Sequence, residues 1–238
     1  MKTAAFILVL FALLSCRIQP KQDIDLVAWW SFDNATSKLA ADQSGNGLNA
    51  LNKGAVLVEG KVGKALEFDG KSVLQVDYQP VLDSFPKGIT VMAWIKKDTA
   101  SHWNTIVSRE IGSGWSEYIG LAVHQNKALF SIDPDGNNYQ NVKSDETLLP
   151  GIWYHLAGTF DNETFKLYIN GKLKKTGICK SLIHFQDKNP LLIGGNSNNQ
   201  NQSLVDCFKG IVDEVRIYKR AMNPAEIRQF SEVNPIKN

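Results

Sequence analysis

Residues 210–227 read GIVDEVRIYKRAMNPAEI. Ile211, Val215 and Ile217 recur at the even spacing that puts side chains on one face of a β-strand. Asp213 falls in phase with them, and Glu214 falls on the opposite face. The strand pattern then stops at Asn223-Pro224. Asn223 is placed to cap a helix, Pro224 takes its first position, and Glu226 stands three residues beyond the cap, an Asn form of the capping box. Ile227 and Phe230, three apart, would turn one face of that helix toward a sheet. The stretch therefore predicts a half-buried strand followed by a short packed helix. It also raises a question. A carboxylate on a buried face is costly unless it is paired or bound to a metal, so Asp213 needs a partner from elsewhere in the chain.

The same two-residue period recurs through most of the 238 residues. It is visible in DLVAWWSF, KALEFDG, VLQVDY, GITVMAWIKK, NTIVSRE, EYIGLAVH, ALFSIDP, IWYHLAGTFD and NPLLIGG, with Gly, Asn and Asp between the runs. In FKLYINGKLKK, Asn170-Gly171 separates two alternating runs. That dipeptide accepts the positive φ angles of a two-residue hairpin turn. Phe165, Leu167 and Ile169 would then face the core, with Lys166 and Tyr168 on the other side. The chain reads as all-β: a two-sheet antiparallel sandwich of the jelly-roll type with a short C-terminal helix.

The N-terminus has a different composition. After Lys2, an apolar run of eleven residues extends from Ala4 to Leu14. It is short for a membrane span and suits the core of an export signal over residues 1–15. LLSC, Leu13–Cys16, resembles the bacterial lipobox, which implies that Cys16 is lipidated and becomes the new N-terminus. Cleavage nearby as an ordinary secretory signal is the alternative. Residues 16–25 are polar and read as a tether, and residues 26–238 as one domain. The expected location is the cell envelope, with the membrane reached through the N-terminal lipid.

Three cysteines and a net charge of +2 limit the remaining options. With Cys16 assigned to lipid, Cys179 and Cys207 remain. Both lie at predicted strand ends, and an exported protein can form a disulfide between them; buried free thiols are the other reading. Two Cys without clustered His do not make a zinc site. Lys and Arg are scattered and form no stripe for nucleic acid. A monomer is expected.

The ordered set VAWWSFD, ADQSGNG, GKVGKALEFDG, ITVMAWIK, WYHLAGTFDNETFKLYINGKL, LLIGG and FKGIVDEVRIYKRAMNPAEI resembles the laminin-G-like domains of the concanavalin A-like lectin/glucanase superfamily. The resemblance runs from about Leu26 to Phe230. It implies a jelly roll and, at the edge where first and last strands meet, a structural calcium ion. Calcium takes six to eight oxygen ligands. Asp213, Asp33, and Asp42 and Asn46 of DQSGNG are the candidate ligands, with Asp69 nearby in sequence. Pairing with Arg or with backbone N–H groups is the alternative for Asp213.

The superfamily spans binding modules, adhesion domains and enzymes, so function has to come from the site. Glycosidases need two facing carboxylates, and the Glu-x-Asp-x-x-Glu run that such folds use is absent. His102, His124, His155 and His184 have no neighbours at metal or triad spacing; His155 reads as a packed strand residue. Trp29, Trp30, Trp94 and Trp153 lie in strand runs and read as core. Trp103 in ASHWNT, Trp115 in GSGWSEY and Tyr139 in DGNNYQN lie in polar surroundings, as aromatic platforms for sugars do. The expected function is non-catalytic glycan binding by a membrane-anchored surface lipoprotein. A protein-binding adhesion module and a divergent polysaccharide-degrading enzyme are the alternatives.

Overall fold

The structure, a computed structural model, describes residues 23–83, 85–98, 102–111, 117–185, 187–198 and 203–232. The export signal, Cys16 and Trp115 lie outside the described residues. In chain order the first strands are β1 (Leu26–Trp30), β2 (Leu39–Ala40), β3 (Ala50–Lys53), β4 (Val56–Glu59), β5 (Lys64–Asp69) and β6 (Val73–Val76). Then come β7 (Ile89–Lys97), β8 (Trp103–Glu110), β9 (Glu117–His124), β10 (Lys127–Ile132), β11 (Gln140–Lys143) and β12 (Trp153–Phe160). The last are β13 (Thr164–Ile169), β14 (Lys172–Ile178), β15 (Leu191–Ile193), β16 (Asn196–Asn198), β17 (Ser203–Val205) and β18 (Lys209–Tyr218), followed by α1 (Pro224–Ser231).

These strands form two antiparallel sheets. One has the order β14-β13-β12-β7-β18-β5-β4, with β1 also paired to β18. The other has the order β11-β10-β9-β8-β15-β6-β3-β2, and β16-β17 form a separate hairpin. The facing sides of the two sheets bury one apolar core that includes Trp30, Phe68, Val91, Ile95, Leu121, Phe130, Phe165 and Leu167. The indole of Trp30 is fully buried and its Nε1 donates to Leu48 O at 2.9 Å, so its polar atom is satisfied.

The Asn170-Gly171 turn forms as its sequence predicts. Both residues have positive φ, 48° and 73°, and Ile169 pairs with Lys172 across it. The capping box is present too: the Asn223 side chain accepts from the Ala225 and Glu226 amides, and Glu226 accepts from Asn223 N. Ile227 is buried and Phe230 packs beside it, against Met92, Ala157, Tyr168, Tyr218 and Met222 on the outer side of the first sheet. Tyr168, placed by alternation opposite Leu167, is therefore also buried, under the helix.

The last strand departs from strict alternation. Its register against β7 shifts between Asp213 and Arg216, where Glu214 takes a φ of 54°. One extra residue in a strand reverses the facing of everything beyond it. Val212 therefore joins Val215 and Ile217 in the core, and half-buried Ile211 does not. Asp213 points to the outer side of the sheet, opposite Trp94. Glu214 turns to that same side, where Trp29 Nε1 donates to its Oε2 at 3.1 Å and Arg216 pairs with it. The expectation that Asp213 shares the core face, and that Glu214 opposes it, is corrected by this bulge.

Cys179 and Cys207 do not form the expected disulfide; both are free thiols. Cys179 follows β14 at one sheet edge, with its N–H on Glu163 O and its Sγ 3.9 Å from Asn138 O. Cys207 sits beside Thr105 and Gly195 in the other sheet. Cys179 follows β14 and Cys207 precedes β18, and the two thiols have different neighbours.

Candidate functional site

A cavity of about 440 Å³ opens on the outer side of the second sheet. Trp103, Thr105, Glu117, Ala122, Tyr139, Asn196 and Asp206 line it. The strand period explains Trp103, Thr105 and Ala122, and a register shift between Arg109 and Glu110 accounts for Glu117. Along β9, Ile119, Leu121 and Val123 enter the core, which turns Ala122 and His124 outward. Register places Trp103 opposite His124 and Thr105 opposite Ala122. The Trp103 and His124 rings stack in parallel, with centroids 3.9 Å apart, and His102 lies edge-on to His124 at 5.0 Å. Burial holds the His124 imidazole below its ordinary range, with Lys143 and His102 adding to the effect. The β16-β17 hairpin and the turn before β11 supply Asn196 and Tyr139.

Glu117 is the buried acid of this cavity. Ser131 Oγ donates to its Oε1 at 2.6 Å. Gly120 makes room for this pair, because a Cβ there would collide with both Ser131 Oγ and Glu117 Oε1. Loss of water, and then the charges of Asp206 and Asp133, push Glu117 up to about 7, although the Ser131 hydroxyl works in the opposite sense. Burial likewise raises Asp206, with His102 opposing. Burial pushes Tyr139 up to about 12. The cavity thus combines aromatic rings with acceptors and hydroxyls, the mixture that binds a polar ligand with apolar ring faces.

Two of the three aromatic residues expected to bind sugar, Trp103 and Tyr139, come together here. Glu117, Asn196, Thr105 and Asp206 were not picked out by sequence reasoning. Glu117 looks like part of an ordinary strand run until register places it on the outer face. Asp206 has a left-handed φ of 52°, and no local motif marks it.

A second cavity of about 280 Å³ lies on the outer side of the first sheet, lined by Trp29, Asp33, Val62, Trp94, Glu214, Arg216 and Phe230. Trp29 therefore leaves the core role expected of it, Trp94 is buried as expected but on the outer side of the sheet, and Trp153 is half-buried under Lys96. The Arg216 guanidinium covers Trp29 at 4.5 Å, and Lys61 covers Trp94 at 4.8 Å, so one face of each ring is taken by a cation, as one face of Trp103 is by His124. His155 is buried edge-on to Trp94 and held down to about 3 by loss of water.

The four expected calcium ligands separate into two groups. Asp42 accepts from Trp29 N, Ser44 N, Ser44 Oγ and Leu48 N, which occupies both of its oxygens. The Asn46 amide nitrogen donates to Leu26 O and Val27 O. These two residues tie down their own turn, and the Asn46 bonds leave its amide oxygen out of account. Asp69 likewise accepts from Lys71 N and Ser72 N. Asp33 and Asp213 instead meet on the 60–64 loop. Asp33 Oδ1 accepts from Lys64 N at 2.8 Å, and Asp213 Oδ2 accepts from Lys61 N at 2.8 Å and Val62 N at 2.9 Å. The loop amides are thus the partner that Asp213 required. Its Oδ1 is buried without a partner among the described residues, and that atom fits a cation. Among the described residues, no three of His, Cys, Asp and Glu form a group that could hold a metal ion. Backbone oxygens would have to complete any shell.

The comparisons with known proteins agree with this architecture. Domain 4 of AbnA, an extracellular arabinanase of Geobacillus stearothermophilus solved with arabinotriose, is 25% identical, with a TM-score of 0.70 over 87% of this chain and 98% of that one. The binding domain of Paraclostridial Mosquitocidal Protein 1 shares the fold at 19% identity and a TM-score of 0.69, over 87% of this chain and 52% of that one. Mouse (Mus musculus) pappalysin-1 is 26% identical over 188 residues; the match covers 69% of this chain but 11% of pappalysin-1. The Laminin_G_3 family model matches residues 68–228. The chain belongs to this family of the concanavalin A-like lectin/glucanases superfamily.

Proposed function

We propose that the protein is a non-catalytic glycan-binding module whose site is the Trp103–Tyr139 cavity. One observation carries the reading: two aromatic residues in one cavity whose other lining residues, Ala122 apart, carry hydrogen-bonding side chains, on the sheet face that the core leaves free. The likeness to a domain solved with arabinotriose supports an oligosaccharide as the ligand class. Trp103→Ala is expected to weaken oligosaccharide retention at least about thirty-fold, the loss typical of a binding hot spot. Stability should fall by only about 1–2 kcal/mol, because the ring is half-buried. Affinity electrophoresis and urea denaturation read the two effects. Unchanged retention in Trp103→Ala and in Tyr139→Ala would remove the cavity from the account.

Export and lipid anchoring through Cys16 belong to the same proposal and rest on the LLSC stretch. Cys16→Ser should move the protein from the membrane fraction to the soluble fraction, or leave an uncleaved precursor. Unchanged partition together with unchanged mature mass would refute lipidation. Calcium enters only as a structural ion, held by Asp213 and Asp33 against the 60–64 loop.

A further inference from the structure

The charges around the Trp103–Tyr139 cavity are one-sided. Glu117 and Asp206 line it, Asp133 lies close enough to act on Glu117, and neither Lys nor Arg is among the lining residues. The neighbouring sequence does not change this, since residues 99–101, 112–116 and 199–202 (TAS, GSGWS and NQNQ) carry no charge. His102 and His124 stand beside Trp103, and His124 is held toward its neutral form. Lys143 reaches Gln125 at 3.4 Å instead of the cavity.

Two carboxyls that lose water in one cavity disfavour each other's charge, and His102 offsets this at Asp206 alone. An anionic sugar would add a third negative charge and remove more water from the first two. A cationic group would do the opposite, since it repays the lost hydration with charge-assisted hydrogen bonds. We propose that the sugar residue seated in this cavity carries a free ammonium group, held between Glu117 and Asp206 beside the Trp103 ring, and that these two carboxylates set the charge selectivity of the site. This inference rests on the cavity being the glycan site. Binding would ionise Glu117 and release its proton to solvent.

The test is calorimetric titration of the intact protein with trimers of glucosamine, N-acetylglucosamine and galacturonic acid. Measurements in two buffers of different ionisation enthalpy give the proton release. The glucosamine trimer should bind about ten-fold more tightly than its acetylated form, the gain expected of one charged hydrogen bond, and should release a proton. The acidic trimer should be the weakest. Glu117→Gln keeps an acceptor for Ser131, so it should retain the fold while bringing the ratio of amine to acetylated affinity down to about one. Equal binding of the amine and acetylated trimers, or tighter binding of the acidic one, overturns the charge assignment and leaves the glycan site standing. Failure of all three to bind overturns both.

Discussion

Between about pH 5 and pH 7 the wild-type protein should lose stability as pH rises, and Glu117→Gln combined with Asp213→Asn should reverse that slope. Loss of water, first among the causes, pushes both carboxyls up to about 7, Glu117 from 4.5 and Asp213 from 3.8. In this window the unfolded chain has released both protons and the native state still holds them. Native protein therefore binds more protons, and its stability falls as pH rises toward the folded values. Two pH units correspond to about 2.7 kcal/mol per group. His155 works in the other direction. Held down to about 3, it refuses a proton that the unfolded chain accepts below its ordinary 6.5. That costs about 2 kcal/mol of stability at pH 5. The net wild-type loss between pH 5 and 7 is on the order of 3 kcal/mol. The amide double variant removes both strongly raised acids and keeps the His155 effect, which His124 reinforces and Asp206 opposes, so its stability should rise over the same range. Urea midpoints across the window decide it, and a wild-type midpoint that stays level or climbs would contradict the buried acids. Calcium added at about pH 8 should restore stability to the wild type but not to Asp213→Asn. An equal effect on both proteins would exclude Asp213 as the ligand.

The second large effect is expected at Arg109. Its side chain is fully buried. Nη1 donates to Leu82 O at 2.8 Å, Nη2 pairs with Asp83 Oδ1 at 2.8 Å, and Nη2 also donates to Asp187 O. The rings of Tyr78, Tyr118 and Phe185 surround the guanidinium at 5.2–5.8 Å. One fork thus joins β8 to the connection between β6 and β7 and to the segment that leads into β15. Arg109→Ala strips an anion and two carbonyls of their donor, and should cost about 3–5 kcal/mol. Arg109→Lys keeps the charge but loses the fork, so it should fall in between. Because Glu110, the next residue, pairs with Glu117, this loss should also loosen the cavity and weaken glycan binding. A denaturation midpoint within about 0.5 kcal/mol of wild type in Arg109→Ala would show that the buried fork is dispensable.

What was legible in the sequence was whatever depends on local chemistry. The Asn170-Gly171 hairpin and the Asn223 cap form where their residues require, because φ preference and capping act within a few residues. The two-residue period located the long strands of both sheets. The sequence pattern does not mark the short strands β2, β3, β4, β11, β16 and β17, whereas β6 and β15, just as short, are marked by their apolar runs. The bulge at Glu214 was invisible for a different reason. Nothing in GIVDEVRIY says where an extra residue enters, and that one residue decides which way Asp213 faces. The Trp residues show the same limit: Trp29 and Trp30 are adjacent in sequence, yet one lines a cavity and the other fills the core. Trp103 and Tyr139 were readable as candidates because polar neighbours surround them. Glu117 and Asp206 join them only through register and chain return.

The glycan cavity is tested most directly by assigning the tryptophan indole N–H resonances through single substitutions and titrating the protein with oligosaccharide. The Trp103 resonance should shift in a saturable way, with Trp29, Trp94 and Trp30 unmoved. Saturable shifts at Trp29 and Trp94 with Trp103 unmoved would place the sugar in the other cavity and contradict the account.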